Sequence, residues 1–434
     1  MRSAILSRVS LVLASVAALG VSVGAVGCAT LDSGDHVNPE GPTWISRPNG
    51  ALAVSFRRAL TATTRKEGEE YERGRAEIDV KHGRVFVGSS DHGLYALRAT
   101  DGSTLFRFET LNAVQSEPLY DPETESVFFG SHDGALYAIS AEDGHLRFRY
   151  DAAAEVSKRP AIAGETLFFA NAADFLFAVD RRTGKERWKV HRTPALGMEV
   201  SGHAGPAVSG DTVYMAFSDG HVGAFNVKDG AERWPPVDLS ADAEQAAGGE
   251  TVRYLDVDTT PVLDETPSGK LLYVASYSGG VVALDAQTGS RVWSNEKALG
   301  VTDLLLFVEP AHGERKEVGS QKAGFPKRPE RKVLIASSAT TGLWGIDAAT
   351  GRALFRNKVP EGGVTAPAIV GGALAVGTSR YGLFLISPLD GKVIDGIETG
   401  SGFSQVPVAY GRHVYALSNG GNFFSLDIDA PVRR

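Results

Sequence analysis

Residues Arg84-Val-Phe-Val-Gly-Ser-Ser-Asp-His-Gly-Leu-Tyr-Ala-Leu-Arg-Ala-Thr-Asp-Gly-Ser-Thr-Leu-Phe-Arg-Phe108 decide the fold. The stretch reads as three short strands. They are separated by Ser90-Asp91-His92-Gly93 and by Asp101-Gly102, a dipeptide that supplies the positive φ angles of a two-residue hairpin. Its two central strands are apolar throughout rather than alternating, the pattern of strands covered on both faces.

The unit repeats along the chain, and repetition of this period fixes the architecture. Its second strand recurs as Leu136-Tyr-Ala-Ile139, Leu176-Phe-Ala-Val179, Val222-Gly-Ala-Phe225, Val281-Val-Ala-Leu284, Leu343-Trp-Gly-Ile346, Leu383-Phe-Leu-Ile386 and Phe423-Phe-Ser-Leu426, which with Leu94 to Leu97 makes eight copies. The turn glycine that follows is found only seven times, at Gly102, Gly144, Gly184, Gly230, Gly289, Gly351 and Gly391. The missing turn and outer strand stand at the other end of the chain, in Asn49-Gly50-Ala-Leu-Ala-Val-Ser-Phe56. An amino-terminal strand that completes the last blade closes a ring and removes free sheet edges. The repeat therefore predicts an all-β, eight-bladed β-propeller of four-stranded blades over residues 49–427, with a tail at 428–434.

Four residues past the turn glycine stand Phe106, Phe148, Trp188, Trp234, Trp293 and Phe355, with Val54 and Asp395 as exceptions. A large ring there is expected to pack on the next blade. Innermost strands begin at Glu117-Pro118, Arg159-Pro160, Gly205-Pro206, Thr260-Pro261, Ala366-Pro367 and Val406-Pro407, where a proline forfeits little ladder bonding.

Residues 1–27 carry Arg2 and Arg8 and then an apolar run from Val9 to Val26, the pattern of a secretory signal. The only cysteine follows, in Ala25-Val26-Gly27-Cys28, so no internal disulfide supports the fold. This stretch resembles the lipobox of bacterial lipoproteins, although Ala25 replaces the usual Leu. The resemblance implies cleavage before Cys28, lipidation of its thiol and new amino group, and residence in the outer membrane, since Ala29 stands where Asp favours inner-membrane retention. The alternative is an ordinary secreted protein with a cysteine beside its cleavage site. Residues 28–48 then form the lipidated Cys and a polar tether.

Without the first 27 residues the chain has 42 basic and 52 acidic residues, a net charge of −10, which disfavours a nucleic-acid role. Steps between the seven turn glycines run 40 to 46 residues except for two of 59 and 62. These hold insertions at 235–253 and 309–332, which strand alternation places on opposite faces of the disc. The second has seven basic residues between Ala311 and Lys332 against Glu314, Glu317 and Glu330. It reads as a solvated loop, with contact to anionic headgroups or an acidic partner as the alternative.

Blades of the form apolar-Gly-Ser-x-Asp-Gly-x-Leu-Tyr-Ala-Leu-Asp-x-x-Thr-Gly-x-x-x-Trp resemble the PQQ-type propeller repeat, which is shared by enzymes and scaffolds. A narrower resemblance lies in Leu255-Asp256-Val257-Asp258-Thr259-Thr260-Pro261-Val262 and Ser401-Gly402-Phe403, which look like the corresponding segments of the BamB family of lipoprotein propellers. That resemblance implies a non-enzymatic, cofactor-free and metal-free scaffold of the outer-membrane β-barrel assembly machinery, a monomeric propeller within a complex. Asp256, Asp258, Met198 and Val200 would contact the periplasmic domains of the barrel insertase. Ser201 departs from the family's Arg. Two other readings stay open: a quinoprotein oxidoreductase holding pyrroloquinoline quinone and Ca²⁺ on the axis, and a lipoprotein propeller with another envelope partner. The first lacks the vicinal cysteine pair of many such enzymes. His92, His132 and His221, in different blades, read as turn residues.

Overall fold

The computed structural model describes residues 50–61, 72–194, 203–239, 256–311, 329–359 and 362–428. Among the described residues every regular element is a β-strand, and the 32 strands form eight four-stranded sheets. Blade one holds β2 (Ala76–Asp79), β3 (Arg84–Gly88), β4 (Gly93–Arg98) and β5 (Thr104–Glu109), hydrogen-bonded in that order. Six further blades repeat this antiparallel meander. Blade eight is composite: β30 (Val408–Tyr410), β31 (His413–Leu417) and β32 (Asn422–Ile428) are completed by β1 (Leu52–Ala59). β1 lies antiparallel to β32, with Leu52 opposite Ile428 and Ala59 opposite Asn422. The amino-terminal strand thus closes the ring, as the count of turn glycines predicts.

The apolar central strands explain the packing. Phe86, Phe128, Phe168 and Leu272 are fully buried, and each core cluster draws side chains from adjacent blades, as where Phe128 and Leu136 meet Leu167 and Phe169. Each such side chain contributes about 1.5–3 kcal/mol by leaving water, before entropy is subtracted.

The rings past the turn glycines make the joints. A Cβ on Gly144, Gly184, Gly230, Gly289, Gly351 or Gly391 would lie within 3.0 Å of Phe106, Phe148, Trp188, Trp234, Trp293 or Phe355 of the preceding blade. These glycines also hold φ between 70° and 76°, so both the space and the backbone call for glycine. The three tryptophans add a hydrogen bond each, Nε1 donating to the carbonyls of Val227, Ala286 and Ala348 at 3.1, 3.3 and 3.1 Å.

The two exceptions have local causes. A register shift in β1 between Val54 and Phe56 leaves Val54 exposed and puts Phe56 against Gly102 of blade one. At the joint of blades seven and eight, the Asp395 carboxylate accepts a hydrogen bond from Leu52 N at 2.8 Å instead of stacking a ring. The outer strand of blade four, β17 (Glu232–Asp238), runs through Pro235 and Pro236, three residues beyond where the sequence reading begins the insertion. Prolines are tolerated there because an outermost strand has one edge without ladder partners.

Two faces follow from this connectivity. The upper face carries the turns between second and third strands and the connections from each outer strand to the next inner one. The lower face carries the turns between first and second, and third and fourth, strands.

Candidate functional site

Inner strands converge on the axis, so residues just ahead of them at the upper face meet around the channel. Arg75 precedes β2, Glu117 precedes β6 (Leu119–Asp121), and Lys158 and Arg159 precede β10 (Ala161–Ala163). Asp258 precedes β18 (Val262–Thr266), and Asp303 lies in β22 (Val301–Glu309).

Arg75, Glu117, Lys158 and Asp303 form a chain of ion pairs, with a separate Arg159–Glu77 pair beside it. Arg75 Nη1 donates to Glu117 Oε2 at 2.6 Å, and Arg159 grips Glu77 with both guanidinium nitrogens at 2.9 and 2.8 Å. Lys158 Nζ stands 3.7 Å from Glu117 Oε1 in blade two and 3.9 Å from Asp303 Oδ1 in blade six. Blades three and six are not neighbours, so this lysine reaches across the channel.

The network's electrostatics follow from its burial. Desolvation works against the Glu117 carboxylate, but Arg75 and Lys158 outweigh it and hold its pKa below the ordinary value. Lys158 is held above its own ordinary value, because Asp303 and Glu117 more than offset its desolvation. Asp303 itself is raised by burial, which Lys158 only partly relieves. Asp258 is pushed up to about 7, by burial first and by the neighbouring Asp256 charge second.

Asp256 and Asp258 are only 3% and 7% exposed. Their segment is stitched between blades four and five. Tyr277 N donates to Asp256 O at 3.0 Å, Val257 enters the core, and Gly205 N donates to Thr260 Oγ1 at 2.9 Å. The two aspartates therefore sit at the rim of the same axial network, under the upper surface. Blade three contributes Asp174, which is buried at φ 57° and accepts hydrogen bonds from Ser218 N of blade four at 3.2 Å. Its burial raises its pKa, and its charge is felt by Asp258. A non-glycine residue at positive φ costs of order 1 kcal/mol, here held in place by the bond between blades.

Met198, Val200, Ser201 and Cys28 lie outside the described residues. The turn histidines remain apart: His132 Nε2 meets Glu155 at 3.2 Å and His221 meets Asp219 at 3.3 Å, each within its own part of the ring. Among the described residues, no three His, Cys, Asp or Glu side chains converge in a manner suited to a metal ion. A quinone stacked on the axis needs an open chamber and a hard-cation site of converging oxygen ligands. At the upper end, the described residues offer instead a lysine spanning the channel, so they do not fit that group.

Sequence reading missed the axial network. Glu117-Pro118 and Arg159-Pro160 are noted there for their prolines alone. The available signal was the charge ahead of each proline, of opposite sign in successive blades and directly before a strand that turns apolar.

A family model described as "Outer membrane protein assembly factor BamB" matches residues 123–309 and 314–433. The chain is 25% identical over 177 residues to the outer membrane protein assembly factor BamB of Legionella pneumophila, covering 41% of this chain and 39% of that one. It spans about two fifths of the length of the curated BamB relatives it matches. In overall fold it is similar to the crystal structure of BamB from Moraxella catarrhalis, with TM-score 0.66 and 19% identity over 87% of this chain and 99% of that one. It is also similar in fold to the quinohemoprotein alcohol dehydrogenase of Comamonas testosteroni, with TM-score 0.62 and 12% identity over 88% of this chain and 77% of that one. The family match spans more than half of the sequence, and by it the chain belongs to the BamB family of outer membrane protein assembly factors.

Proposed function

We propose that this chain is a non-enzymatic scaffold lipoprotein of the outer-membrane β-barrel assembly machinery. It is anchored through acylated Cys28 to the periplasmic leaflet and binds the periplasmic domains of the barrel insertase as a single propeller. The family match carries this reading. The ion-paired axis supports a scaffold over a quinone enzyme, because a ligand there would have to break the Lys158 bridges to Glu117 and Asp303.

In this reading the docking site is the upper face around Asp256, Asp258, Met198 and Val200. Both aspartates are buried, so they act by holding their connection and by projecting negative potential, which orients a basic partner more than it adds affinity. The apolar pair supplies the affinity.

The test is a mild-detergent pull-down from cell envelopes with mass spectrometry, comparing wild type with Asp256→Asn/Asp258→Asn after checking that the variant is folded and melts no lower than wild type. Recovery of the barrel insertase with wild type and its loss with the variant is expected. Absence of the insertase from a folded, membrane-associated wild type overturns the scaffold reading. Cys28→Ser is expected to abolish metabolic labelling by palmitate.

A further inference from the structure

The lower mouth of the channel differs from the upper one. Ten large apolar side chains are exposed among the described residues, and four of them lie at the turn-proximal ends of inner strands: Val308 (40%), Ile369 (43%), Tyr410 (50%) and Val80 (43%). They come from blades six, seven, eight and one, which are consecutive around the ring. Inner strand β26 (Ala368–Val370) packs beside β30, and β30 beside β2, so the four form an arc around half of the mouth. Among the described residues, blades two to five expose no large apolar side chain at this place.

Charge divides along the same line. Among the described residues, the exposed charged side chains in the lower-face turns of blades six to one are Lys81, Arg352, Lys392 and Arg412 against Glu330 and Asp390. In those of blades two to five they are Glu123, Glu142, Asp143, Glu165, Asp211 and Asp229 against Arg182, Lys185 and Lys228. The apolar arc thus lies in a sector of net charge +2, facing one of net charge −3. Strand β1 enters the ring at the same positive sector, where Leu52 pairs with the lower end of β32 at Ile428.

We propose that the lower face over blades six, seven, eight and one docks on an anionic phospholipid surface. Exposed aliphatic side chains and a tyrosine flanked by basic residues suit the headgroup boundary, where apolar burial and attraction to anionic lipid add. A protein partner with an acidic surface would use the same basic rim, and it shows in the test below as no preference between charged and neutral vesicles. The inference extends the anchored-lipoprotein reading, yet it is tested without the anchor.

The experiment is sedimentation of residues 28–434 carrying Cys28→Ser with two kinds of vesicle: phosphatidylcholine alone, and equal parts phosphatidylcholine and phosphatidylglycerol. Binding to the mixed vesicles only, weakening as salt is raised, is expected. Lys81→Ala/Lys392→Ala should weaken it roughly thirty-fold, from about 1 kcal/mol for each basic side chain near an anionic surface. Ile369→Ser/Tyr410→Ser should weaken it at every salt concentration, whereas Glu165→Gln/Asp211→Asn in the acidic sector should not weaken it. Each variant is first matched to wild type in circular dichroism and melting temperature. Equal binding to both vesicle types, no binding to either, or sector variants indistinguishable from wild type overturns the proposal. Because no acyl chain is involved, a failure here leaves the Cys28 reading standing, and failure of palmitate labelling leaves this one standing.

Discussion

The two ends of the axial channel are built from the same eight inner strands, yet one is crossed by buried charge and the other carries a half-circle of exposed apolar side chains. At the upper end Arg75, Glu117, Lys158 and Asp303 tie blades one, two, three and six together across the opening. At the lower end Val308, Ile369, Tyr410 and Val80 face solvent. The difference shows where a propeller is constrained. The second and third strands of each blade and the ring-on-glycine joints hold the disc, so the ends of the inner strands are free to differ in chemistry. The upper end spends that freedom on polar pairing, which makes substitutions there expensive.

The largest effect should come from breaking that pairing on one side only. Glu117→Ala leaves Arg75 and Lys158 facing each other without their shared carboxylate, and loss of one partner of a buried pair costs about 3–5 kcal/mol. The denaturation midpoint should fall accordingly, while Glu117→Leu combined with Arg75→Met and Lys158→Met should recover much of the loss. The pH dependence has a definite sign. The Glu117 pKa is lower folded than unfolded, so its contribution is present above the ordinary glutamate range and disappears as pH falls through the folded value. A wild-type stability that does not fall on acidification relative to Glu117→Gln would remove the carboxylate from the network.

A smaller effect of opposite sign is expected at the rim. Asp258 is pushed up to about 7 in the folded chain, so it binds its proton more tightly folded than unfolded. Its contribution is fully present below the ordinary aspartate range and is lost as pH rises toward about 7. Asp258→Asn mimics the protonated form and should be stabilising at pH of about 8 and neutral at pH of about 4. Thermal melts of both proteins across this range decide it. Identical pH profiles would mean that Asp258 ionises as an exposed aspartate does.

The disc was legible in the sequence because its determinants are local and repeated. The apolar Leu94–Leu97 strand recurs with its turn glycine, and the displaced Asn49–Phe56 stretch completes the count. The ring past each glycine was legible too, but its partner was not, since the contact joins Trp293 to Gly351 across a blade boundary. Phe56 in place of Val54 was hidden by a single-residue bulge, which periodicity does not register. The axial network was the least legible part. Lys158 and Asp303 are separated by the whole of blades three, four and five in sequence and meet only because the ring brings their strands to one axis. Asp256 and Asp258 were picked out by family likeness, whereas their burial depends on Val257 being drawn into the core between blades four and five.

The smallest effect sharpens the contrast between the ends within two adjacent residues. Ile369 and Val370 are consecutive in β26, and alternation along the strand sends them to opposite sides, one 43% exposed at the lower mouth and the other 2% exposed in the core. Ile369→Ser removes apolar surface that water already reaches, so stability should change by no more than about 0.5 kcal/mol. Val370→Ser puts a hydroxyl among Leu52, Leu385 and Ile428 and opens a small cavity, and should cost on the order of 2–3 kcal/mol. Urea denaturation of the two single variants gives the comparison directly. A loss at Ile369 approaching that at Val370 would mean that the arc is covered in solution by another part of the molecule or by a second copy. A neutral Ile369→Ser that lowers binding to anionic vesicles separates the two roles, because a side chain that contributes nothing to folding and something to adhesion is held at the surface for the adhesion.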